Sequence, residues 1–197
     1  YTGKSKIEVF EGSYHAAHDS VLVALDPDSP PDAPTFRPRG AGIPPETLQN
    51  VMMLPYHRDA AFDLIRQHKD ELALVLLEPV ESSNPRMNHV DWMKGVEAAC
   101  REAGVLFLMD EVITGFRVAP GGAQQLFGVT PDLTTMGKAI ANGFPLSCLA
   151  GRADLMDLFV TGEVMHGGTY NAQPSTMAAL VATLTELAKP ETFDALT

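Results

Sequence analysis

Short apolar runs alternate along this chain with longer segments whose apolar residues recur every three or four positions. The clearest runs are residues 72–77, which lead into Glu78, and residues 105–109, which lead into Asp110. A run that is apolar at successive positions predicts a strand buried on both faces, as in a parallel sheet. The segment between them, residues 88–103, has the spacing of an amphipathic helix. This strand, helix, strand succession predicts an α/β fold with a parallel sheet.

The rest of the pattern predicts shorter elements joined by turns. Further strands are predicted over residues 7–10, 21–25, 51–54, 131–136 and 146–150, and further helices over 58–69, 123–127, 152–160 and 173–189. Residues 26–45 contain seven prolines and are predicted to be loop with extended stretches. Because long loops in compact domains are usually functional or mobile, we expect this one to border a substrate entrance. A solvated surface excursion is the alternative.

Two ionisable residues stand where an α/β fold places its ligands. Asp110 follows a predicted buried strand, and ligands of open α/β sheets bind at the carboxyl ends of the strands. Lys138 lies 28 residues later, next to Gly137 and in an apolar setting. Such an acid and such a lysine suggest a carbonyl cofactor that the lysine holds as an imine, with its ring nitrogen facing the carboxylate. A structural acid and a surface lysine are the alternatives.

Five short motifs resemble those of the class III aminotransferases that use pyridoxal phosphate. They are Tyr14-His15, Glu78-Pro79, Asp110-Glu111-Val112-Ile113-Thr114-Gly115-Phe116-Arg117, Gly137-Lys138 and Gly167-Gly168-Thr169. They occur in the family's order and at roughly its spacing, and five matches in register are a specific signal. The end of the longest motif is most similar to the glutamate-1-semialdehyde aminomutase branch. The resemblance runs from Tyr1 to about Lys189.

This resemblance implies the large domain of a fold-type I transferase, α/β with a mostly parallel sheet flanked by helices, and pyridoxal 5'-phosphate as its cofactor. Lys138 is expected to hold the cofactor as a Schiff base and then to carry protons, which requires a neutral amine. Asp110 is expected to keep the pyridine nitrogen protonated, because a nearby negative charge raises the pKa of that nitrogen. Glu78 is expected beside the cofactor, with a carboxylate bound to a neighbouring loop as the alternative.

Four further residues are assigned to cofactor binding by the same resemblance. Tyr14 is expected to stack on one face of the ring and Val112 to pack on the other. His15 belongs to the same motif as Tyr14, and exposed aromatic residues without a role are the alternative for this pair. Ile113 stands where many transaminases of the family have glutamine, which agrees better with the aminomutase-like branch.

Gly168 and Thr169 resemble a segment that binds the cofactor phosphate of the neighbouring subunit, through backbone amides and a hydroxyl. A homodimer with a shared active site is therefore expected, and an ordinary turn is the alternative. Residues 1–197 match only the cofactor-binding large domain. The family's N-terminal segment and its C-terminal small domain are expected to be missing from this sequence.

The implied function is that of a transaminase or aminomutase, which moves an amino group between an amine or amino acid and a carbonyl compound. A racemase or decarboxylase of the same family is one alternative, because the bond that breaks depends on substrate orientation. A catalytically incomplete fragment is another. Arg117 is the nearest candidate for binding a substrate carboxylate, unless it only ties down its own loop.

Composition narrows the classes of partner. The 197 residues include 14 basic and 25 acidic side chains, a net charge of −11, which argues against nucleic acid and anionic membranes as partners. No apolar run reaches the roughly 18 residues that span a bilayer. Cys100 and Cys148 show no metal-type or disulfide spacing, so we expect free thiols in a reducing cytoplasm. His15 and His18 lack an evident third ligand, and no metal site is predicted.

Overall fold

The computed structural model describes residues 1–195 and is built on a six-stranded sheet. The strands are β1 (Lys6–Phe10), β2 (Val23–Leu25), β3 (Phe36–Pro38), β4 (Val51–Leu54), β5 (Leu72–Leu77), β6 (Leu106–Glu111), β7 (Leu133–Met136) and β8 (Cys148–Gly151). The helices are α1 (Ala60–Gln67), α2 (Val90–Ala103), α3 (Gly122–Phe127), α4 (Ala153–Thr161), α5 (Pro174–Leu187) and α6 (Pro190–Asp194). Residues 196 and 197, the end of the predicted domain 1–197, lie outside the described residues.

The sheet has the strand order β4-β1-β5-β6-β7-β8. The first five strands in this order are parallel, and β8 runs antiparallel to β7 at one edge. Strands β2 and β3 form a separate antiparallel ribbon. The prediction of an α/β fold with a mostly parallel sheet is therefore confirmed. None of the helices in residues 1–195 is long and apolar enough to cross a membrane.

Helix α2 connects β5 to β6, as the sequence pattern predicted. It buries Met93, Val96 and Cys100 in the same hydrophobic core as Phe107 of β6. The helix ends at Gly104, whose φ of 64° is a left-handed conformation that glycine adopts without steric cost. The apolar stripe of the helix thus packs beside a strand that is itself buried, which is the arrangement of a βαβ unit.

The proline-rich segment 26–45 is largely loop, as predicted, and one of its extended stretches is β3. This strand pairs with β2, with Leu25 opposite Phe36. The backbone N–H of Arg39 donates to the carbonyl of Leu22 at 3.0 Å and extends this ribbon by one bond. Hydrogen bonds between β2 and β3 therefore join the residues before the segment to residues near its end. A 3-10 helix of two turns, Pro45–Asn50, then leads into β4.

Most predicted element boundaries differ from the observed ones by one or two residues. The strand predicted to begin at residue 131 begins at Leu133, and the carboxylate of Asp132 before it accepts a hydrogen bond from the backbone N–H of Phe107. The helix predicted over 173–189 ends at Leu187. Pro190 then starts α6, since a proline has no N–H with which to continue a preceding helix.

The functional residues predicted from sequence follow the carboxyl ends of neighbouring parallel strands. Tyr14 and His15 come after β1, Glu78 after β5, and Lys138 after β7, while Asp110 is the penultimate residue of β6. Because β1, β5, β6 and β7 are successive neighbours in the sheet, their ends meet along one edge. The strand order thus brings segments that are distant in sequence to a single place.

Candidate active site

Asp110 lies at the centre of this edge and is held by three donors. Its Oδ2 is 2.8 Å from Nδ1 of His15, and its Oδ1 accepts hydrogen bonds from the Val112 backbone at 3.1 Å and the Thr135 hydroxyl at 3.2 Å. Burial favours the neutral acid, but the hydrogen bond and charge of His15, followed by those of Val112 and Thr135, outweigh it. The pKa of Asp110 therefore lies below its ordinary value. The site contains a carboxylate that stays ionised although it is largely buried.

Glu78 organises the turn that carries Tyr14. Its buried carboxylate accepts a hydrogen bond from the Tyr14 backbone N–H at 3.0 Å and weaker ones from the backbone and hydroxyl of Ser82 at 3.4 and 3.3 Å. The Tyr14 ring remains half exposed. Ala16 follows with a φ of 70°, a conformation that is strained for a residue with a side chain. Glu78 thus binds the neighbouring loop that carries Tyr14, as the alternative hypothesis for this residue stated.

Lys138 begins a short 3-10 turn, Lys138–Ala141, directly after β7. Its φ is 43°, which is uncommon for a residue other than glycine and is typical of functional positions. Gly137 before it is buried, and a Cβ there would lie 3.3 Å from a methyl group of Val112. The glycine therefore lets the backbone approach Val112 closely. Lys138 itself is exposed.

These residues line one cavity of about 460 Å³. Seven of the nine predicted site residues belong to its lining, namely Tyr14, His15, Glu78, Asp110, Val112, Ile113 and Lys138. A neighbouring depression of about 510 Å³ has Glu111 as its ionisable lining residue. The Glu111 carboxylate is fully buried and takes its hydrogen bonds from its own loop and from α3. The cavity at the strand ends is therefore the better candidate for chemistry.

Gly168 and Thr169 lie apart from this cavity. They belong to the exposed loop between α4 and α5 and are not part of the cavity lining. His166 of the same loop does line the cavity. The sequence patterns did not single out His166, and no periodicity or motif position drew attention to it.

Other lining residues were also missed by the sequence patterns. Thr135 contacts Asp110 because the two residues are register partners in β6 and β7, so aligning the two predicted strands would have found it. Ser82 and Cys148 line the cavity as well. Arg117 instead donates from Nε to the carbonyl of Ile113 at 3.0 Å, which ties its loop together.

Comparison with known proteins agrees with this geometry. Residues 1–196 match the family described as aminotransferase class-III. Glutamate-1-semialdehyde 2,1-aminomutase of Pyrobaculum aerophilum is 42% identical over 196 residues, which are 98% of this chain and 46% of that protein. The enzyme of the same name from Methanocaldococcus jannaschii is 39% identical, with 94% of this chain and 44% of that protein covered.

Solved structures with the same fold include transaminases. An omega-transaminase from Sphaerobacter thermophilus superposes with a TM-score of 0.90 at 37% identity, covering 98% of this chain and 46% of that one. A transaminase with PLP bound superposes with a TM-score of 0.83 at 32% identity, covering 96% of this chain and 45% of that one. The chain spans about half the length of the curated relatives it matches. Its predicted family is confirmed, and the chain belongs to the class III aminotransferases.

Proposed function

We propose that this chain forms the cofactor-binding part of a transaminase or aminomutase that uses pyridoxal 5'-phosphate. The reaction would move an amino group between an amine or amino acid and a small carbonyl compound. The observation that carries this proposal is the meeting of Lys138 with an ionised Asp110 in one cavity. The names of the relatives agree with it, since they are aminomutases and transaminases.

The cavity fits this cofactor in size and in chemistry. Its volume of about 460 Å³ is typical of small-molecule sites. Asp110 offers a fixed negative charge for a ring nitrogen, Tyr14 a half-exposed aromatic ring, and Lys138 an exposed amine for a carbonyl carbon. Val112 would pack against the ring from the side of Gly137. Bound there, the cofactor would supply a sink for the electrons of a substrate Cα bond.

Residues of the chain itself would hold the negative charge in place and transfer the proton. The contact of His15 Nδ1 with Oδ2 of Asp110 would hold the carboxylate in one orientation. Nε2 of His15 is buried and has no hydrogen-bond partner among the described residues. Nζ of Lys138 would carry a proton to and from the substrate carbon. The exposed position of this side chain leaves the amine room to move.

A homodimer belongs to the same proposal. The loop with Gly168 and Thr169 is exposed along its whole length, and it presents large apolar side chains to solvent. Met165 is 91% exposed and Tyr170 80% exposed. Apolar surface of this kind is typical of interaction sites. The loop could then reach the cavity of a second subunit, and a cytoplasmic location would suit the two free thiols.

Borohydride reduction tests the proposal. The protein is mixed with pyridoxal 5'-phosphate, reduced and digested, and the modified lysines are mapped by mass spectrometry. We expect the label on Lys138, its loss in Lys138→Gln, and an unchanged label in Lys94→Gln, which alters an exposed lysine of α2. A label scattered over surface lysines would contradict the proposal. Formation of a keto acid from the amino donor would then distinguish transamination from racemisation.

A further inference from the structure

Most arginines of this chain are already engaged by acids. Five of them form ion pairs within residues 1–195, and each has its partner within 4 Å. The pairs are Arg37 with Asp26, Arg58 with Asp32, Arg66 with Glu102, Arg101 with Glu97, and Arg152 with Asp132. An arginine that recognises an anionic ligand must have its guanidinium free, so these five are poor candidates.

Two of the remaining arginines, Arg117 and Arg86, do not line the candidate cavity and contact other groups. Arg117 uses Nε to bind the carbonyl of Ile113 and lines a depression that includes Glu186 of α5. Arg86 lies beside His57 in depressions on another part of the surface. The sequence-based candidate for carboxylate binding, Arg117, is therefore tied to its own loop. Arg39 is the remaining arginine.

Arg39 has a fixed backbone and a free head group. Its N–H donates to the carbonyl of Leu22 at the base of the β2–β3 ribbon. Its guanidinium carbon lies 5.8 Å from the centroid of the Tyr14 ring, within the range of a cation–π interaction. Tyr14 itself lines the cavity. The guanidinium therefore lies next to a residue of the cavity wall, while Arg39 itself is not part of the lining. None of the ion pairs of arginine within residues 1–195 includes Arg39.

The acids of the cavity do not compete for this cation. Glu78 is occupied by the Tyr14 backbone and by Ser82, and Asp110 by His15, Val112 and Thr135. An arginine fork pairs with a carboxylate through two parallel hydrogen bonds, which a lysine cannot reproduce. The Arg39 guanidinium therefore stays available to an anionic ligand.

We propose that Arg39 binds the carboxylate of the substrate and so selects amino acids over simple amines. This inference rests on the proposed function, because it assigns a substrate class to the same cavity. It also gives the proline-rich segment a role, since the base of that segment carries the arginine. Its chemistry requires only a carboxylate within reach of a guanidinium, with no covalent step.

The test compares two amino donors that differ in one group. Alanine and ethylamine are assayed with the purified protein and its variants, since ethylamine is alanine without the carboxylate. In Arg39→Gln we expect the KM for alanine to rise roughly 10- to 100-fold, the size expected when a charge-assisted bidentate pair is lost. The KM for ethylamine should stay unchanged. Arg39→Lys should retain part of the preference for alanine over ethylamine. Arg37→Gln is the control, because Arg37 lies two residues away and pairs with Asp26, and it should leave both KM values unchanged.

A second readout does not depend on turnover. Binding of propionate, a carboxylate without an amine, is measured by ligand-observed NMR in the wild type, Arg39→Gln and Arg37→Gln. We expect the dissociation constant to rise by the same 10- to 100-fold in Arg39→Gln only. An equal change in KM for alanine and ethylamine would overturn the inference, because it would mean that Arg39 only positions the Tyr14 ring. Unchanged propionate binding would overturn it as well.

The two proposals can fail separately. Borohydride labelling of Lys138 reports on the proposed function in every variant, whereas propionate binding reports on Arg39. Loss of labelling with propionate binding still dependent on Arg39 would reject the cofactor chemistry and keep the carboxylate site. Normal labelling with propionate binding independent of Arg39 would keep the cofactor chemistry and reject the carboxylate site.

Discussion

Asp110 and Glu8 are two largely buried carboxyl groups whose surroundings favour opposite protonation states. Asp110 receives hydrogen bonds from three donors, and its pKa is lowered in spite of burial. Glu8, in β1, is fully buried, and both of its carboxylate oxygens lack a partner among the described residues. Desolvation, reinforced by the negative charge of Glu71 and opposed by Lys6, raises the pKa of Glu8 to about 8. Glu8 is therefore protonated at neutral pH while Asp110 is ionised.

The raised pKa of Glu8 predicts a loss of stability with rising pH. A group whose folded-state pKa exceeds its unfolded-state value of 4.5 contributes fully below pH 4.5, and the contribution is lost as pH rises through about 8. Through this group the free energy of unfolding should fall by roughly 3 kcal/mol between pH 4.5 and pH 7. In Glu8→Met, which has a similar volume and no charge, this pH dependence should disappear. Urea unfolding at pH 5, 7 and 8.5 measures it.

Glu102→Gln provides the control for this experiment, since Glu102 is an exposed acid on α2. Its stability curve should follow that of the wild type. The Met variant should be the more stable protein at pH 8.5, because it has no carboxylate to ionise inside the core. Parallel curves for the wild type and Glu8→Met would show that Glu8 is not protonated in the folded state.

At the scale of elements, the connection from β6 to α3 is held by one acid. The buried Glu111 accepts hydrogen bonds from the Thr114 hydroxyl at 2.8 Å, from the backbones of Ala123 and Gln124 at 2.6 and 2.9 Å, and from the Gln124 side chain at 3.1 Å. Two of these donors are at the N-terminus of α3, where backbone N–H groups have no partner within the helix. Glu111 therefore fixes the loop that carries Val112 and Ile113.

Glu111→Gln should lower the free energy of unfolding by about 2–4 kcal/mol, because the amide nitrogen would face donors that the carboxylate now accepts. Thr114→Val removes a single bond of the same network and should cost about 1 kcal/mol. Urea unfolding of both variants gives the comparison. Equal stabilities of the wild type and Glu111→Gln would mean that the network contributes little to the position of the loop.

At the scale of the whole molecule, the proposed dimer makes each active site depend on two subunits. One subunit would supply Lys138, and the other would supply Gly168 and Thr169. Neither Gly168 nor Thr169 lines the cavity of its own subunit. A site divided in this way can be reconstituted from two different inactive subunits, which a site contained in one subunit cannot.

Subunit mixing tests this division. Lys138→Ala removes the amine, and Thr169→Glu places a negative charge against the cofactor phosphate, so each variant alone should be inactive. Because Thr169 is exposed, its substitution should leave the fold intact. After unfolding and refolding together, hybrid dimers should recover about a quarter of the wild-type activity, since half of the dimers would carry one intact site. The two variants refolded separately and then assayed together are the control.

Light scattering on the same samples separates two ways in which activity can fail to return. Hybrid dimers without activity would contradict the shared site. A monomeric wild type would contradict the dimer itself. Activity of Thr169→Glu alone would show that the threonine does not meet a phosphate.

The local pattern of the sequence determined the elements and the family. The apolar runs 72–77 and 105–109 predicted β5 and β6, because apolar residues at successive positions indicate a strand buried on both faces, and the spacing of three and four predicted α2. Asp110 and Lys138 could be predicted because each follows an apolar run, and such a run is visible in the residues immediately before it. Seven of the nine predicted site residues do line one cavity.

Only the tertiary structure decided how distant segments meet. His15 binds Asp110 across 95 residues, and Thr135 reaches it through the register of β6 with β7. Arg39 lies over the ring of Tyr14, whereas Arg117 is bonded to its own loop, and the ribbon of β2 with β3 leads to Arg39. The physical reason is that strand order and register depend on the packing of the whole chain, whereas hydrophobic periodicity reports only whether each segment is buried.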